Sequence, residues 1–262
     1  MDDFDQFLTL LRRSRKVVAL TGAGVSTLSG IPDFRGPNGL YTRQPTWHGH
    51  PVEMMFDTDF FDAHPELFYE YAREFLYPMT ECTPSIAHEA LALLESKGKL
   101  DALYTQNIDL LHTKAGSKTV GELHGSFRHH VCRQCGAVYD LEPARSEIMS
   151  GKVPRCGRCG QVLKPSVVFF GDNLDGDLLE RAGHDCTEAD LLLVLGSSLT
   201  VQPVASLPRL TLRHGGALVI VNAQPTDYDQ AATFLFPDIA DFCRRLTDAC
   251  RTCDFSDFTV HQ

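Results

Sequence analysis

Four cysteines in two close pairs form the clearest metal-binding pattern in the sequence. Cys132, Cys135, Cys156 and Cys159 have the spacing C-x2-C-x20-C-x2-C. Four thiolates fill the tetrahedral coordination shell of Zn2+ and leave no position for water, so such a site stabilises a fold and does not catalyse a reaction. Four unrelated buried or redox-active cysteines would not require this spacing. The pattern therefore predicts one structural zinc ion per chain.

Short polar or glycine-rich segments follow apolar runs at several points along the chain. They are 22–27 (GAGVST), 105–109 (TQNID), 196–198 (GSS) and 221–222 (VN). In open α/β sheets, ligand-binding groups collect at the carboxyl ends of parallel strands. The glycines would let backbone amides approach a pyrophosphate, but Thr27 stands where a dehydrogenase fingerprint has its third glycine. From the residues alone, an ordinary tight turn explains the first segment equally well, and the second segment could be a polar helix cap.

His124 is the candidate general base. It lies between Leu123 and Gly125 at the end of a short apolar segment. An imidazole changes its charge near neutral pH and can accept a proton during a reaction. By itself a histidine in such a position is more often structural, so this assignment depends on the other segments.

Apolar runs predict the strands that must position these groups. The runs cover 17–20, 103–104, 167–170, 191–195 and 218–221, and helical or loop segments separate them. This alternation is typical of parallel α/β units. The predicted fold class is α/β, with a Rossmann-like parallel sheet.

Helical spacing of apolar residues predicts the main helices. Residues 4–11 form one such pattern, and short helices are expected around 60–75. A further helix should begin near Thr83 and Pro84 and end at Gly98, because glycine readily adopts the left-handed conformation that terminates a helix.

Changes in amino-acid composition along the chain predict three parts. Residues 1–40, 83–126 and 165–262 should form the Rossmann-like domain. Residues 41–82, rich in aromatic residues, histidine and acids, should form an inserted helical module. Residues 127–164, rich in cysteine, glycine and arginine, should form a zinc-binding module.

Composition excludes several classes of protein. A chain of 262 residues with 43% hydrophobic residues can bury a large core. The net charge of −10 disfavours binding to nucleic-acid backbones. We find no apolar run long enough to cross a membrane and no signal peptide, and cysteines arranged for zinc fit a reducing compartment. A cytoplasmic protein without membrane or nucleic-acid partners is expected.

Taken in order, the motifs resemble those of the sirtuin family of NAD-dependent protein deacylases. The motifs are GAGVS, GIPDFRG, TQNID, LHG, the paired C-x-x-C, VVFFGD, GSS and VN, and they extend from about Phe7 to about Phe242. The resemblance implies a Rossmann-like larger domain and a smaller domain made of a helical module with the cofactor loop and a zinc module. Acetylated lysine-containing proteins or peptides would bind in the cleft between the two domains.

The resemblance also implies roles for individual residues. The expected ligands of the NAD pyrophosphate and riboses are Gly22, Ala23, Gly24, Thr27, Phe34 and Arg35. Those of the nicotinamide and its ribose are Gln106, Asn107, Ile108 and Asp109. Those of the adenosine half are Gly196, Ser197, Ser198, Asn222 and Ile239. The expected catalytic residues are His124, Asn107 and Asp109, with His124 as general base on a ribose hydroxyl. The expected partners of the substrate backbone are Val168, Phe169 and Gly171.

The implied reaction consumes NAD, frees lysine, and yields nicotinamide and O-acyl-ADP-ribose. Relatives that prefer succinyl or malonyl groups carry a tyrosine and, three residues later, an arginine, whereas this chain has Tyr69 and Ala72. Acetyl and uncharged acyl groups are therefore expected. Two departures from the family pattern are Asp172 in place of a common glutamate and the insert 42–53. The histidines of that insert, His48 and His50, are expected in a solvated loop, although a second metal site is the alternative.

Three other functions compete with deacylation. A related mono-ADP-ribosyltransferase would use the same NAD pocket, but the complete TQNID and LHG motifs favour deacylation. A zinc-containing NAD dehydrogenase would need a full glycine fingerprint and a downstream acidic ligand for the ribose, and all four paired cysteines are already used around zinc. A zinc-ribbon module that binds nucleic acid or protein would be favoured by the arginines near the cysteines and disfavoured by the acidic net charge.

Overall fold

The computed structural model describes residues 2–34, 36 and 38–252. Its helices are α1 Asp3–Arg13, α2 Gly24–Thr27, α3 Leu40–Arg43, α4 Thr58–Ala63, α5 Pro65–Phe75, α6 Ile86–Ser96, α7 Leu111–Lys114, α8 Leu141–Met149, α9 Gly176–Glu188, α10 Leu207–Arg213 and α11 Ile239–Thr252. Its strands are β1 Val17–Thr21, β2 Thr46–Trp47, β3 His50–Pro51, β4 Ala102–Thr105, β5 Val120–Glu122, β6 Gly125–Val131, β7 Val138–Asp140, β8 Lys164–Val167, β9 Leu191–Leu195, β10 Ala217–Val221 and β11 Phe234–Phe236. Among the described helices, none is long and apolar enough to cross a membrane.

Six parallel strands form the main sheet in the order β11-β10-β9-β1-β4-β5. Every residue of β1 and β9 is buried. In β1, Val17 and Ala19 pack into the apolar cluster that contains α1, α6 and α11, whereas Val18 and Leu20 pack into the cluster that contains α9 and α10. Helices cover both faces, which explains why these strands are continuous apolar runs. The Rossmann-like parallel sheet is confirmed.

Helix α6 shows how local sequence sets an element boundary. Its first residue is Ile86, slightly later than the start expected at Thr83, because Ser85 is the N-cap and accepts a hydrogen bond from the Ala87 N–H. The chain leaves the helix through Gly98, whose φ of 66° is left-handed as expected.

The smaller part of the protein contains an antiparallel sheet in the order β7-β6-β8. Its aromatic cluster joins this sheet to helices α4 and α5, since Phe127 of β6 and Val167 of β8 pack with Phe61, Phe68 and their neighbours. The run 167–170 is thus not a strand of the parallel sheet, and the expectation that it was one is wrong. An apolar run shows that a segment is buried but does not show which sheet it joins.

The insert 42–53 contains a β-hairpin, not only a solvated loop. Strands β2 and β3 pair through a turn in which His48 and Gly49 have φ values of 47° and 84°. Trp47 anchors the hairpin on α5, with its ring centroid 5.6 Å from that of Tyr71 and 5.5 Å from that of Phe75. The indole therefore holds the insert against the helical module.

Candidate active site

A cavity of about 460 Å3 lies at the carboxyl ends of the parallel strands, beside the aromatic cluster. It brings together most of the residues that the sequence singled out. These are Ala23, Gly24, Thr27, Phe34, Gln106, Asn107, Ile108, His124, Val168, Phe169, Gly171, Gly196, Ser197, Ser198, Asn222 and Ile239. Gly22 and Asp109 are not among the described residues that line the cavity, and Arg35 lies outside the described residues.

The glycines at the end of β1 allow two backbone segments to touch. The Gly24 N–H donates to the Gly196 carbonyl at 2.8 Å, and the Gly22 N–H donates to the Leu195 carbonyl at 3.0 Å. A Cβ atom at Gly24 would lie 2.6 Å from the Gly196 Cα, and Gly196 itself has a φ of 64°. Both glycines are therefore needed for packing between strand ends, whether or not a phosphate approaches them.

Gln106 presents an unsatisfied polar group at the cavity wall. Its Oε1 accepts a hydrogen bond from the Ser197 hydroxyl at 2.9 Å, which fixes the amide so that Nε2 is the donor. Nε2 is buried and has no partner among the described residues. A buried donor without an acceptor is costly unless a ligand supplies one. The amide thus fits a polar cosubstrate such as NAD.

Asn107, Ser26 and Asp109 form a buried chain of hydrogen bonds behind Gln106. Asn107 Nδ2 donates to the Gly22 carbonyl at 3.1 Å and to Ser26 Oγ at 3.0 Å, and Ser26 Oγ donates to Asp109 Oδ2 at 2.6 Å. Burial raises the pKa of Asp109 despite these contacts. The carboxylate also accepts the Leu111 N–H at 2.9 Å. Ser26 lies in the GAGVS motif but was missed as a site residue.

His124 lies at the cavity with its Nδ1 against the main chain of the neighbouring strand end. It is half-buried, lines the cavity, and its Nδ1 lies 3.1 Å from the Gln106 carbonyl oxygen. A carbonyl only accepts, so Nδ1 carries the proton and the neutral ring has its lone pair on Nε2. Gly125 follows with a φ of 68°, and a Cβ there would lie 1.9 Å from the Ser166 carbonyl oxygen. This close contact fixes the main chain beside the imidazole.

The four predicted zinc ligands lie together. Cys132 Sγ is 3.4 Å from Cys159 Sγ, Cys135 Sγ is 3.6 Å from both Cys156 Sγ and Cys159 Sγ, and all four sulfurs lie within 4.8 Å of one another. Tetrahedral zinc with Zn–S bonds of about 2.3 Å places its sulfurs about 3.8 Å apart. The cluster therefore fits one structural zinc ion.

No second metal site is formed by the described part of the chain. The four cysteines are the only group of three or more His, Cys, Asp or Glu side chains there that could share an ion. His48 Nε2 instead lies 3.1 Å from Glu70 Oε1, and the His50 ring packs on Phe60 with centroids 5.1 Å apart.

Asp172 supports the segment expected to contact the substrate. Its carboxylate lies 2.7 Å from Lys164 Nζ and accepts hydrogen bonds from the Phe169 N–H at 2.9 Å and from the Thr58 hydroxyl at 3.0 Å. Burial alone would raise the pKa of Asp172, but these donors hold it below its usual value. Aspartate, although shorter than the glutamate common in the family, thus makes an ion pair and two hydrogen bonds at this position. Phe169 contributes a buried ring to the aromatic cluster, and its N–H and its carbonyl are both bonded to Asp172.

Comparison with known proteins assigns this fold and site to a family. A model of the Sir2 family matches residues 22–203. An NAD-dependent protein deacetylase of Thermotoga maritima is 47% identical over 93% of this chain and 96% of its own. Another, from Pyrobaculum aerophilum, is 44% identical over 89% of both chains. The chain belongs to the Sir2 family of NAD-dependent protein deacylases.

Solved structures agree with this assignment. The structure of Sir2 bound to an acetylated peptide is 43% identical and matches with a TM-score of 0.86 over 96% of this chain and all of its own. The complex of Sir2 with a p53 peptide and NAD+ matches with a TM-score of 0.86 at 45% identity over 96% of this chain.

Proposed function

We propose that this protein removes acetyl and other uncharged acyl groups from lysine side chains of proteins in an NAD-dependent reaction. The observation that carries the proposal is one cavity that joins His124 and the unsatisfied Gln106 amide to the strand ends of the parallel sheet. Relatives with this architecture are NAD-dependent protein deacetylases. The substrates are acyl-lysine peptides, and the acidic chain gives no reason to expect nucleic acid as a partner. A cytoplasmic location stays a prediction.

We propose the following division of the chain. Residues 1–40, 83–126 and 165–262 form the NAD-binding domain, with 41–82 as helical module and 127–164 as zinc module. The antiparallel sheet begins at Gly125 and ends at Val167. Strands β6 and β8 therefore extend beyond the proposed limits of the zinc module, 127–164, into the NAD-binding domain.

We assign NAD to the cavity along the strand ends. The residues around the pyrophosphate and riboses would be Ala23, Gly24, Thr27, Phe34 and Arg35, with Gly22 shaping the turn. Gln106, Asn107 and Ile108 would face the nicotinamide and its ribose, and Asp109 would hold Asn107 through Ser26. The adenosine half would lie against Gly196, Ser197, Ser198, Asn222 and Ile239.

The proposed chemistry divides between NAD and the protein. NAD would supply an anomeric carbon that accepts the acyl oxygen as nicotinamide leaves. One water would then be consumed as the lysine amine is released and the acyl group remains on a ribose oxygen of ADP-ribose. His124 Nε2, made basic by the Nδ1–H contact with Gln106, takes the proton of a ribose hydroxyl. The apolar wall of Phe34, Phe56 and Ile108 would keep water from the anomeric carbon while nicotinamide departs.

The peptide backbone would pair with the segment 168–171. The Val168 N–H already donates to the His124 carbonyl at 2.9 Å. Among the described residues, no backbone hydrogen bond engages the Val168 carbonyl or the Gly171 N–H, so both can pair with an extended peptide. Backbone pairing of this kind depends little on peptide sequence.

The direct test is mass spectrometry of an acetyl-lysine peptide incubated with the protein, with and without NAD. We expect acetyl loss only with NAD, together with O-acetyl-ADP-ribose. If NAD is consumed while the acetyl group stays on the peptide and ADP-ribose appears on protein, the activity is ADP-ribosyl transfer and not deacylation.

Acyl groups that carry a carboxylate should be poor substrates. Among the described residues, no lysine or arginine lines the cavity, the Tyr69 hydroxyl donates to the Leu163 carbonyl, and Ala72 is apolar and buried. A buried carboxylate without a charge partner costs a few kcal/mol, so kcat/KM for a succinyl-lysine peptide should fall at least about 100-fold below that for its acetyl counterpart. Initial rates on the two peptides measure this ratio. Comparable rates would show that a cation reaches the acyl group.

A further inference from the structure

Two buried imidazoles lie next to the loops that we assign to NAD. His88 belongs to α6 and His112 to α7, and neither is among the described residues that line the cavity. Their ring centroids are 4.6 Å apart, with the ring planes at 61°. Both side chains are almost fully buried. Buried polar rings need partners, so their contacts indicate what they hold in place.

His88 is connected to the glycine loop through Ser85. The Ser85 N–H donates to His88 Nδ1 at 3.1 Å, and the Ser85 hydroxyl lies 2.8 Å from the same nitrogen. The Ser85 hydroxyl donates to the Val25 carbonyl at 2.9 Å. Val25 follows Gly24 in the loop that closes against Gly196. Helix α6 is thereby fastened to the main chain of that loop.

His112 is connected to the Gln106–Asn107 segment through two threonines. Thr21 Oγ1 donates to Thr105 Oγ1 at 2.9 Å and lies 2.8 Å from His112 Nε2. Since its own proton is used, Thr21 accepts from His112 Nε2–H. Thr105 Oγ1 in turn accepts the Asn107 N–H at 3.0 Å. The imidazole thus orients the two hydroxyls that hold the main chain at Asn107.

The two rings pack edge to face, and no hydrogen bond joins them among the described residues. Within this pair, His88 Nε2 and His112 Nδ1 have no hydrogen-bond partner among the described residues. Burial lowers the pKa of His88 to about 4 and that of His112 well below its usual value, so both rings are neutral.

We propose that His88 and His112 are positioning residues for NAD: the buried pair, through Ser85 and through Thr21 and Thr105, fixes the main chain at Val25 and at Asn107. These are the main-chain positions that set the two loops assigned to the cosubstrate. The inference rests on the proposed function. It assigns to the pair no contact with NAD or substrate.

The test compares His112→Met with His112→Gln, two side chains of similar size. Methionine cannot donate to Thr21, whereas the glutamine amide can, at nearly the position of Nε2. We expect His112→Met to raise KM for NAD about tenfold, the effect of losing a buried hydrogen bond, and to leave KM for the acetyl peptide within about twofold. His112→Gln should restore most of the NAD affinity.

His130→Met is the matched control for general damage to the core. His130 is also fully buried, and its Nε2 lies 2.6 Å from the Tyr77 hydroxyl, within the smaller part of the protein. It should leave KM for NAD unchanged. A rise in KM for NAD equal to that of His112→Met would overturn the positioning role.

The threonine contact provides a second pair of variants if His112→Met does not fold. Thr21→Val removes the hydroxyl and keeps the shape, whereas Thr21→Ser keeps the hydroxyl. Only Thr21→Val should raise KM for NAD. If the wild-type protein removes no acetyl group, the proposed function fails. Normal wild-type turnover with an unchanged KM for NAD in both His112→Met and Thr21→Val overturns only the positioning role.

Discussion

Replacing His124 with alanine should lower kcat for deacetylation by about 10²–10⁴-fold, the usual contribution of a general base. The imidazole lines the cavity, and its Nε2 is the nitrogen with a lone pair because Nδ1–H donates to the Gln106 carbonyl. Without it, the ribose hydroxyl has no acceptor for its proton. The measurement is the steady-state rate of acetyl loss from a lysine peptide at saturating NAD.

Two further variants separate the lost base from lost structure. His124→Asn keeps an N–H that can donate to Gln106 but has no basic nitrogen, so it should be as inactive as His124→Ala. His129→Ala removes a half-exposed histidine of strand β6, which begins directly after His124. The His129 Nδ1 lies 3.3 Å from Asp140, and the variant should retain wild-type turnover. Substantial activity in His124→Asn would remove His124 from the role of base.

Loss of zinc should unfold the zinc module and abolish activity. The buried apolar cluster around the cysteines contains only Cys132, Cys156 and Leu163, too few residues for a core of its own. Structural zinc sites supply about 10–16 kcal/mol of binding free energy, as much as the whole stability of a typical domain. We expect Cys135→Ser to lose bound zinc, melt at a clearly lower temperature and lose deacetylation.

Cys82→Ser provides the comparison for this experiment. Cys82 is half-buried like Cys135 but lies outside the cluster, so its variant should keep one zinc per chain and normal turnover. Elemental analysis of the purified proteins and thermal denaturation measure both quantities. A zinc-free Cys135→Ser protein with wild-type stability and activity would show that the metal is dispensable.

The sequence predicted the four central strands of the parallel sheet, β10, β9, β1 and β4, because these strands are buried on both faces. The runs at 17–20, 191–195 and 218–221 all lie in β1, β9 and β10. The four cysteines were predicted for a related reason, since ligand spacing is a local property. Both patterns can be recognised without knowing which distant segments of the chain contact them in the folded protein.

Features that depend on long-range contact were not predicted. The run 167–170 joins the antiparallel sheet and the aromatic cluster, and its partners lie far away in the chain. The contact between Lys164 and Asp172 and the chain from Asn107 to Asp109 through Ser26 are likewise set by folding. Only His88 left a local trace, because a polar residue three positions after Ser85 resembles a capping box.

The hydrogen bond from the Val168 N–H to the His124 carbonyl joins the peptide-pairing segment directly to the proposed base. A peptide that pairs out of register would pull on this link and shift the imidazole from its hydroxyl. Backbone pairing would still hold such a peptide. Competing acetylated proteins should therefore differ more in kcat than in binding affinity. Peptides that bind out of register would act as competitive inhibitors.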